Sequence, residues 1–171
     1  AGTQLMAGSQ FASYSIVSNP SSTGYVSSVV GPDGDTWMKI GLTAASSSVS
    51  ITRDLGAGST VNIAGGPDNI YFRFYIPNED AKKNVQIVNV RLASGSAWNT
   101  NFADFSQSST VKTGEQAGYL FNAAGDHSFM QDFSVRQLTN TLNKTAVRHI
   151  SFQLTSTSTA GAEIWVKEIR Y

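Results

Sequence analysis

Between Ile70 and Ile76 every second side chain is apolar: Ile70, Phe72, Phe74 and Ile76 share one parity, and Tyr71, Arg73 and Tyr75 take the other. Successive side chains of a β-strand point to opposite faces, so this stretch is a strand with one buried face, and a helix would scatter the four apolar residues around its axis. The same alternation sets Met38, Ile40 and Leu42 against Trp37 and Lys39, and Val88, Val90 and Leu92 against Asn89 and Arg91. Further strands are expected near Phe129 to Val135, from Ile150 to Leu154, and from Ile164 to the C-terminus.

Turn residues break these runs at Gly31-Pro32-Asp33-Gly34-Asp35, Gly65-Gly66-Pro67-Asp68-Asn69, Pro77-Asn78-Glu79-Asp80 and Gly125-Asp126. Ser/Thr clusters in SNPSSTG, AASSSVS, SQSST and TSTSTAG read as loops and strand ends. Many short strands with close punctuation predict an all-β, antiparallel β-sandwich of about ten strands. Helix is expected only as a turn around Asp80 to Asn84 and a short piece from Leu138 to Lys144, both too short to sustain themselves. No linker, charge block or repeat divides the chain, so one domain is expected over residues 1–171, with the first eight the readiest to fray.

Composition narrows the function. Twelve basic and twelve acidic residues cancel, leaving no electrostatic bias toward a polyanion, so no nucleic-acid partner is expected. Cysteine is absent, which excludes disulfides, thiolate metal sites and a Cys nucleophile; a domain of this size closes a core without crosslinks. The longest apolar stretches are short and interrupted, as Arg73 interrupts Tyr71 to Ile76, so no membrane insertion is expected. The opening AGTQLMAGSQ has no basic segment followed by an apolar run, so no signal peptide is expected in it.

Motifs for nucleophilic hydrolysis, phosphate cradling, dinucleotide binding and zinc proteolysis are all missing. The two histidines are His127, in a turn beside Asp126, and His149, whose parity opposes Ile150, Phe152 and Leu154 and makes it a surface strand residue. Asp33 and Asp35 fall short of a calcium loop and fit an Asp/Gly turn, and the twelve acids single out no pair spaced for glycoside hydrolysis. Asn143-Lys144-Thr145 matches a glycosylation sequon.

A binding surface remains. The outward parities collect Trp37, Tyr71, Arg73, Tyr75, Asn89, Arg91, His149 and Gln153, and Trp98 stands in the polar loop SGSAWNTN. Sugar rings pack their C–H patches on aromatic faces while their hydroxyls bond to planar amides and guanidiniums held by a rigid sheet. The face of Trp165 is left open, because Ile164 and Val166 share one parity and Ile169 and Tyr171 the other, which predicts a bulge near Lys167.

Through the early strand DTWMKIGL, the central YFRFYIP and the closing AEIWVKEIRY, the chain resembles the jelly-roll carbohydrate-binding modules attached to glycanases, polysaccharide lyases and phage tailspikes. The resemblance implies non-catalytic binding of a polysaccharide or surface glycan by a sheet face and edge loops, outside the cell or on a virion surface. It also implies acidic residues near the closing strand that hold a structural calcium ion. Glu168 matches that role and Lys167 does not, so the calcium is expected absent or altered and no other cofactor is expected. Two further readings stay open: a phage-tail-like module whose aromatics join a homo-oligomer, and a small polysaccharide lyase using His149, Arg73 and Tyr75.

Overall fold

A computed structural model of the chain describes residues 2–64, 69–108, 125–132 and 141–171. Among them are eleven strands: β1 (Gln4–Ala7), β2 (Ser15–Asn19), β3 (Gly24–Val30), β4 (Thr36–Leu42), β5 (Ser48–Asp54), β6 (Asn69–Ile76), β7 (Val85–Ala93), β8 (Phe102–Ser108), β9 (Gly125–Asp132), β10 (His149–Ser156) and β11 (Glu163–Arg170). They form two antiparallel sheets. Sheet A runs β3-β4-β11-β6-β9, with β1 also paired to β11, and sheet B runs β2-β5-β10-β7-β8.

The inward parities of both sheets make one apolar layer. From sheet A come Met38, Ile40, Ile70, Phe72, Phe74, Ile76, Ile164 and Val166; from sheet B come Ile51, Val90, Leu92, Ile150, Phe152 and Leu154, each no more than 1% exposed. Phe72 lies 5.4 Å from Phe105 and 6.2 Å from Phe74, centroid to centroid, and Tyr14 packs 6.0 Å from Phe152. Each fully buried aliphatic or Phe side chain contributes roughly 1.5–3 kcal/mol, which makes this layer the main source of stability.

The expected β-sandwich is present, and several local expectations meet different outcomes. The bulge falls where the closing strand changes parity: Val166 pairs with Phe74 and Glu168 with Arg73, with Lys167 as the extra residue. Trp165 therefore faces outward while Ile169 regains the core. Gly125-Asp126 is not a turn but the start of β9, opposite Ile76 and Tyr75. The helix around Asp80 is α1 (Glu79–Asn84), capped by Asn78, whose side-chain oxygen accepts from the Ala81 amide at 2.8 Å. Of the segment Leu138 to Lys144, residues 141–144 are not helical and 138–140 lie outside the described residues, as do 65–68 of the glycine-rich turn and 133–135 of the expected Phe129 to Val135 strand. AASSSVS is only partly loop, since Ser48 and Ser50 belong to β5.

Residues 4–7, in the stretch expected to fray, form β1 against the closing strand. Thr3 and Tyr171 exchange both backbone hydrogen bonds, at 2.7 and 2.9 Å. Gly8 follows directly, and a Cβ there would meet the Val166 carbonyl oxygen at 2.4 Å and the Met38 nitrogen at 2.5 Å, both backbone atoms that cannot yield. Gly8→Ala is therefore expected to cost about 1–3 kcal/mol in denaturant unfolding, whereas Gly58→Ala, where nothing lies within 4 Å, is expected to leave the midpoint nearly unchanged.

Candidate functional site

The outward parity of sheet B carries a hydrogen-bonded polar layer. Asn89 of β7 sits at its centre, 4% exposed, donating its amide to Gln153 Oε1 at 2.6 Å and to Asp104 Oδ1 at 3.1 Å while accepting from the Ser106 hydroxyl at 2.6 Å. Asp104 also takes a two-point bond from Arg91, Nε at 2.7 Å and a terminal nitrogen at 2.9 Å. Such forked pairs fix the guanidinium plane as well as its charge. Its Cζ lies 3.8 Å from the centroid of the Phe102 ring and 4.8 Å from that of the Trp98 ring, so Arg91 links the sheet to the loop carrying Trp98.

Beside this layer a cleft of about 380 Å3 opens between β2, β5, β10 and that loop, lined by Val17, Ser50, Thr52, Asp54, Trp98 and His149 among others. Trp98 is partly exposed, and the Gln153 amide nitrogen makes no hydrogen bond to a described residue. At the cleft's end Arg148 grips Asp54 through two bonds, at 2.9 and 3.1 Å. These bonds and the Gly56 amide hold the Asp54 pKa down at about 2.

His149 is a correction to the sequence reading. Its parity is outward, but β10 is the central strand of sheet B, and the side chain is 6% exposed beneath its neighbours. Burial pushes its pKa below the usual 6.5, outweighing the pull of Asp54 at 3.6 Å, with Arg148 adding to the depression. Its Nδ1 is buried without a hydrogen-bond partner among the described residues.

Trp37, Tyr71, Arg73 and Tyr75 lie elsewhere, on the outer face of sheet A. The nine sequence-derived site residues thus divide between opposite faces of the sandwich, and one ligand surface cannot use them all. Trp37 is fully buried. The turn from Gly31 to Asp35 folds over its indole so closely that a Cβ on Gly31 would touch the ring at 2.2 Å, and the indole N–H donates to Asp33 at 2.8 Å. Tyr75 packs edge-on to Trp37 at 6.1 Å and lies 4.9 Å from Trp165, whose N–H is tied to Glu163 at 2.9 Å. The lyase set of His149, Arg73 and Tyr75 is likewise split between sheets, so no cleft brings the three together.

The residues at the closing strand do not fit a calcium ion. One oxygen of Glu168 accepts from Gln4 at 2.9 Å and the other from Arg170 at 2.8 Å. Burial alone would raise its pKa, but those bonds with the charges of Arg170 and Lys167 bring it below the usual value. Lys167 is itself paired with Asp33 and, at 3.3 Å, with Asp35. Among the described residues no three His, Asp or Glu side chains cluster to hold a metal. The side chain of His127, on β9, lies outside the described residues.

Solved structures align over nearly the whole chain. A family 11 carbohydrate-binding module from Clostridium thermocellum, in complex with a beta-1,3-1,4-mixed-linked tetrasaccharide, is similar at 14% identity and a TM-score of 0.62, covering 98% of this chain and 92% of that one. This chain has the fold of the jelly-roll carbohydrate-binding modules. The module TmCBM61 in complex with beta-1,4-galactotriose aligns at 9% identity and a TM-score of 0.54, covering 99% of this chain and 97% of that one. The enzymatically active domain of bacteriophage CBA120 tailspike protein 4 aligns at 10% identity and 0.55, with 98% of this chain spanning 21% of that one. No family model and no curated protein matches the sequence.

The site's acid–base chemistry makes stability pH-dependent with a defined sign. His149 and Asp54 both have folded pKa values below their unfolded ones, so each contributes stability above its unfolded pKa that is lost as pH falls through the folded value. The thermal unfolding midpoint is expected to fall below about pH 6.5 through His149 and again below about pH 4 through Asp54. His149→Gln should remove the upper step alone; its persistence in that variant would show that another group carries it.

Proposed function

We propose that the outer face of sheet B binds a polysaccharide without catalysing a reaction on it. The observation that carries this reading is a set of planar groups, Gln153, Asp104 and Arg91, fixed in place by the buried Asn89 or by one another and lying beside a cleft edged by the partly exposed Trp98. A sugar ring can lay its C–H face on the indole while its hydroxyls meet amide and carboxylate atoms whose positions are already set. Little side-chain freedom is then lost on binding. That solved modules of this fold hold oligosaccharides supports the same reading. The partner is a polysaccharide or surface glycan, met outside the cell or on a virion surface.

Tyr71, Arg73 and Tyr75 take no part in this site, since their face belongs to the other sheet. Affinity electrophoresis against a panel of soluble polysaccharides tests the assignment. Trp98→Ala is expected to weaken binding about tenfold, roughly 1.4 kcal/mol, and Gln153→Ala several-fold, whereas Tyr71→Ala leaves it unchanged. Retention of the bound glycan by Trp98→Ala and Gln153→Ala together with loss in Tyr71→Ala would move the site to sheet A.

A further inference from the structure

We propose that the glycan is uncharged and lies along β5, with its far end seated in a hydroxyl-lined groove at the opposite end of sheet B from Trp98; this rests on the binding reading above. The groove encloses about 650 Å3 where β2 and β10 end and β5 begins. Asn19, Pro20, Ser46, Ser48, Thr155 and Ser158 contribute to its walls, and none of the described residues that line it is ionisable.

The groove and the Trp98 cleft are two hollows of one track. The cleft is lined by Val17 of β2 and Ser50 of β5, and the groove resumes at Asn19 and Ser48, the next residues of the same parity on those strands. Same-face neighbours on a strand are about 7 Å apart, so the two hollows adjoin, and β5, whose Thr52, Ser50 and Ser48 are half-buried, carries the track for about 13 Å. Along it the seam of β5 and β10 pairs Ser50 with Gln153 and Ser48 with Thr155, all half-buried, while Thr52 is held 3.1 Å from the hydroxyl of its partner Ser151, which is fully buried beneath the track. A track following the strands, rather than crossing them, is the direction in which the polar surface is continuous.

The groove is preorganised. Ser47 and Ser156 beneath it are 2% and 1% exposed; the Ser47 amide donates to the Ser156 hydroxyl at 3.0 Å, the two hydroxyls lie 3.1 Å apart, and Ser156 donates to the Ala44 carbonyl at 3.0 Å. The side chains of Asn19, Ser48 and Thr155, by contrast, make no hydrogen bond to any described residue and are available to ligand hydroxyls. Pro20 offers a flat apolar edge for sugar C–H groups. Charge selects the class of chain: the guanidiniums at the Trp98 end, Arg91 and Arg148, are each gripped by a carboxylate, and the described residues of the groove add no cation to receive a uronate.

A glycan array bearing oligosaccharide ladders, from disaccharide to octasaccharide, of beta-1,4-galactan, beta-1,3-1,4-glucan, xylan, polygalacturonate and alginate separates the possibilities. The wild type is expected to bind a neutral ladder with affinity that climbs with length until the track is filled. Asn19→Ala and the blocking variant Ser48→Tyr should keep the short-chain affinity and lose the gain from length, several-fold on the longest members, while Trp98→Ala weakens every length. Affinity that does not rise with length, full length gain in both groove variants, or tighter capture of a uronate ladder would overturn this proposal and leave the carbohydrate reading standing. No binding to any ladder would overturn both.

Discussion

The apolar layer between the two sheets determines what each outer face can offer. Because side chains alternate along a strand, burying Ile150, Phe152 and Leu154 obliges His149, Ser151, Gln153 and Thr155 to face the other way, and burying Val88, Val90 and Leu92 does the same for Asn89 and Arg91. A slip of one residue in the β7–β10 register would put Phe152 in water and Gln153 in the core. The positions of the polar groups on sheet B are therefore enforced from beneath, by contacts no ligand touches.

That enforcement also explains how much could be read from the chain itself. The sandwich, the parity of β4, β6, β7 and β10, and the bulge at Lys167 follow from local alternation, which is a property of neighbours in sequence. Which strands share a sheet is set by non-local pairing, and periodicity carries no record of it. Tyr75 and Gln153 have equally convincing outward parity, yet β6 pairs with β11 and β9 while β10 pairs with β5 and β7, so the two residues point away from each other.

Exposure was the second quantity hidden from parity. Trp37 and His149 both face outward, but a folded-back turn covers one and central placement in its sheet buries the other. Among the site residues that sequence reasoning missed, Phe102, Asp104 and Ser106 had a usable signal: they alternate with the buried Ala103 and Phe105 in FADFSQS. Ser48, Ser50 and Thr52 had less, because small hydroxyl residues suit both loops and polar strand faces, and only pairing with β10 decides between the two. Asp33 and Asp35 gain their meaning only in three dimensions, where they meet a lysine distant in sequence.

The joining of Thr3 to Tyr171 brings the two chain ends side by side on sheet A, across the sandwich from the polar track. Adjacent ends permit a domain to be spliced into a surface loop of a host, or closed into a circle and reopened elsewhere, with little strain on its interior. A host grafted at this seam would hold the molecule from behind, as a handle holds a brush, and leave sheet B turned toward its surroundings.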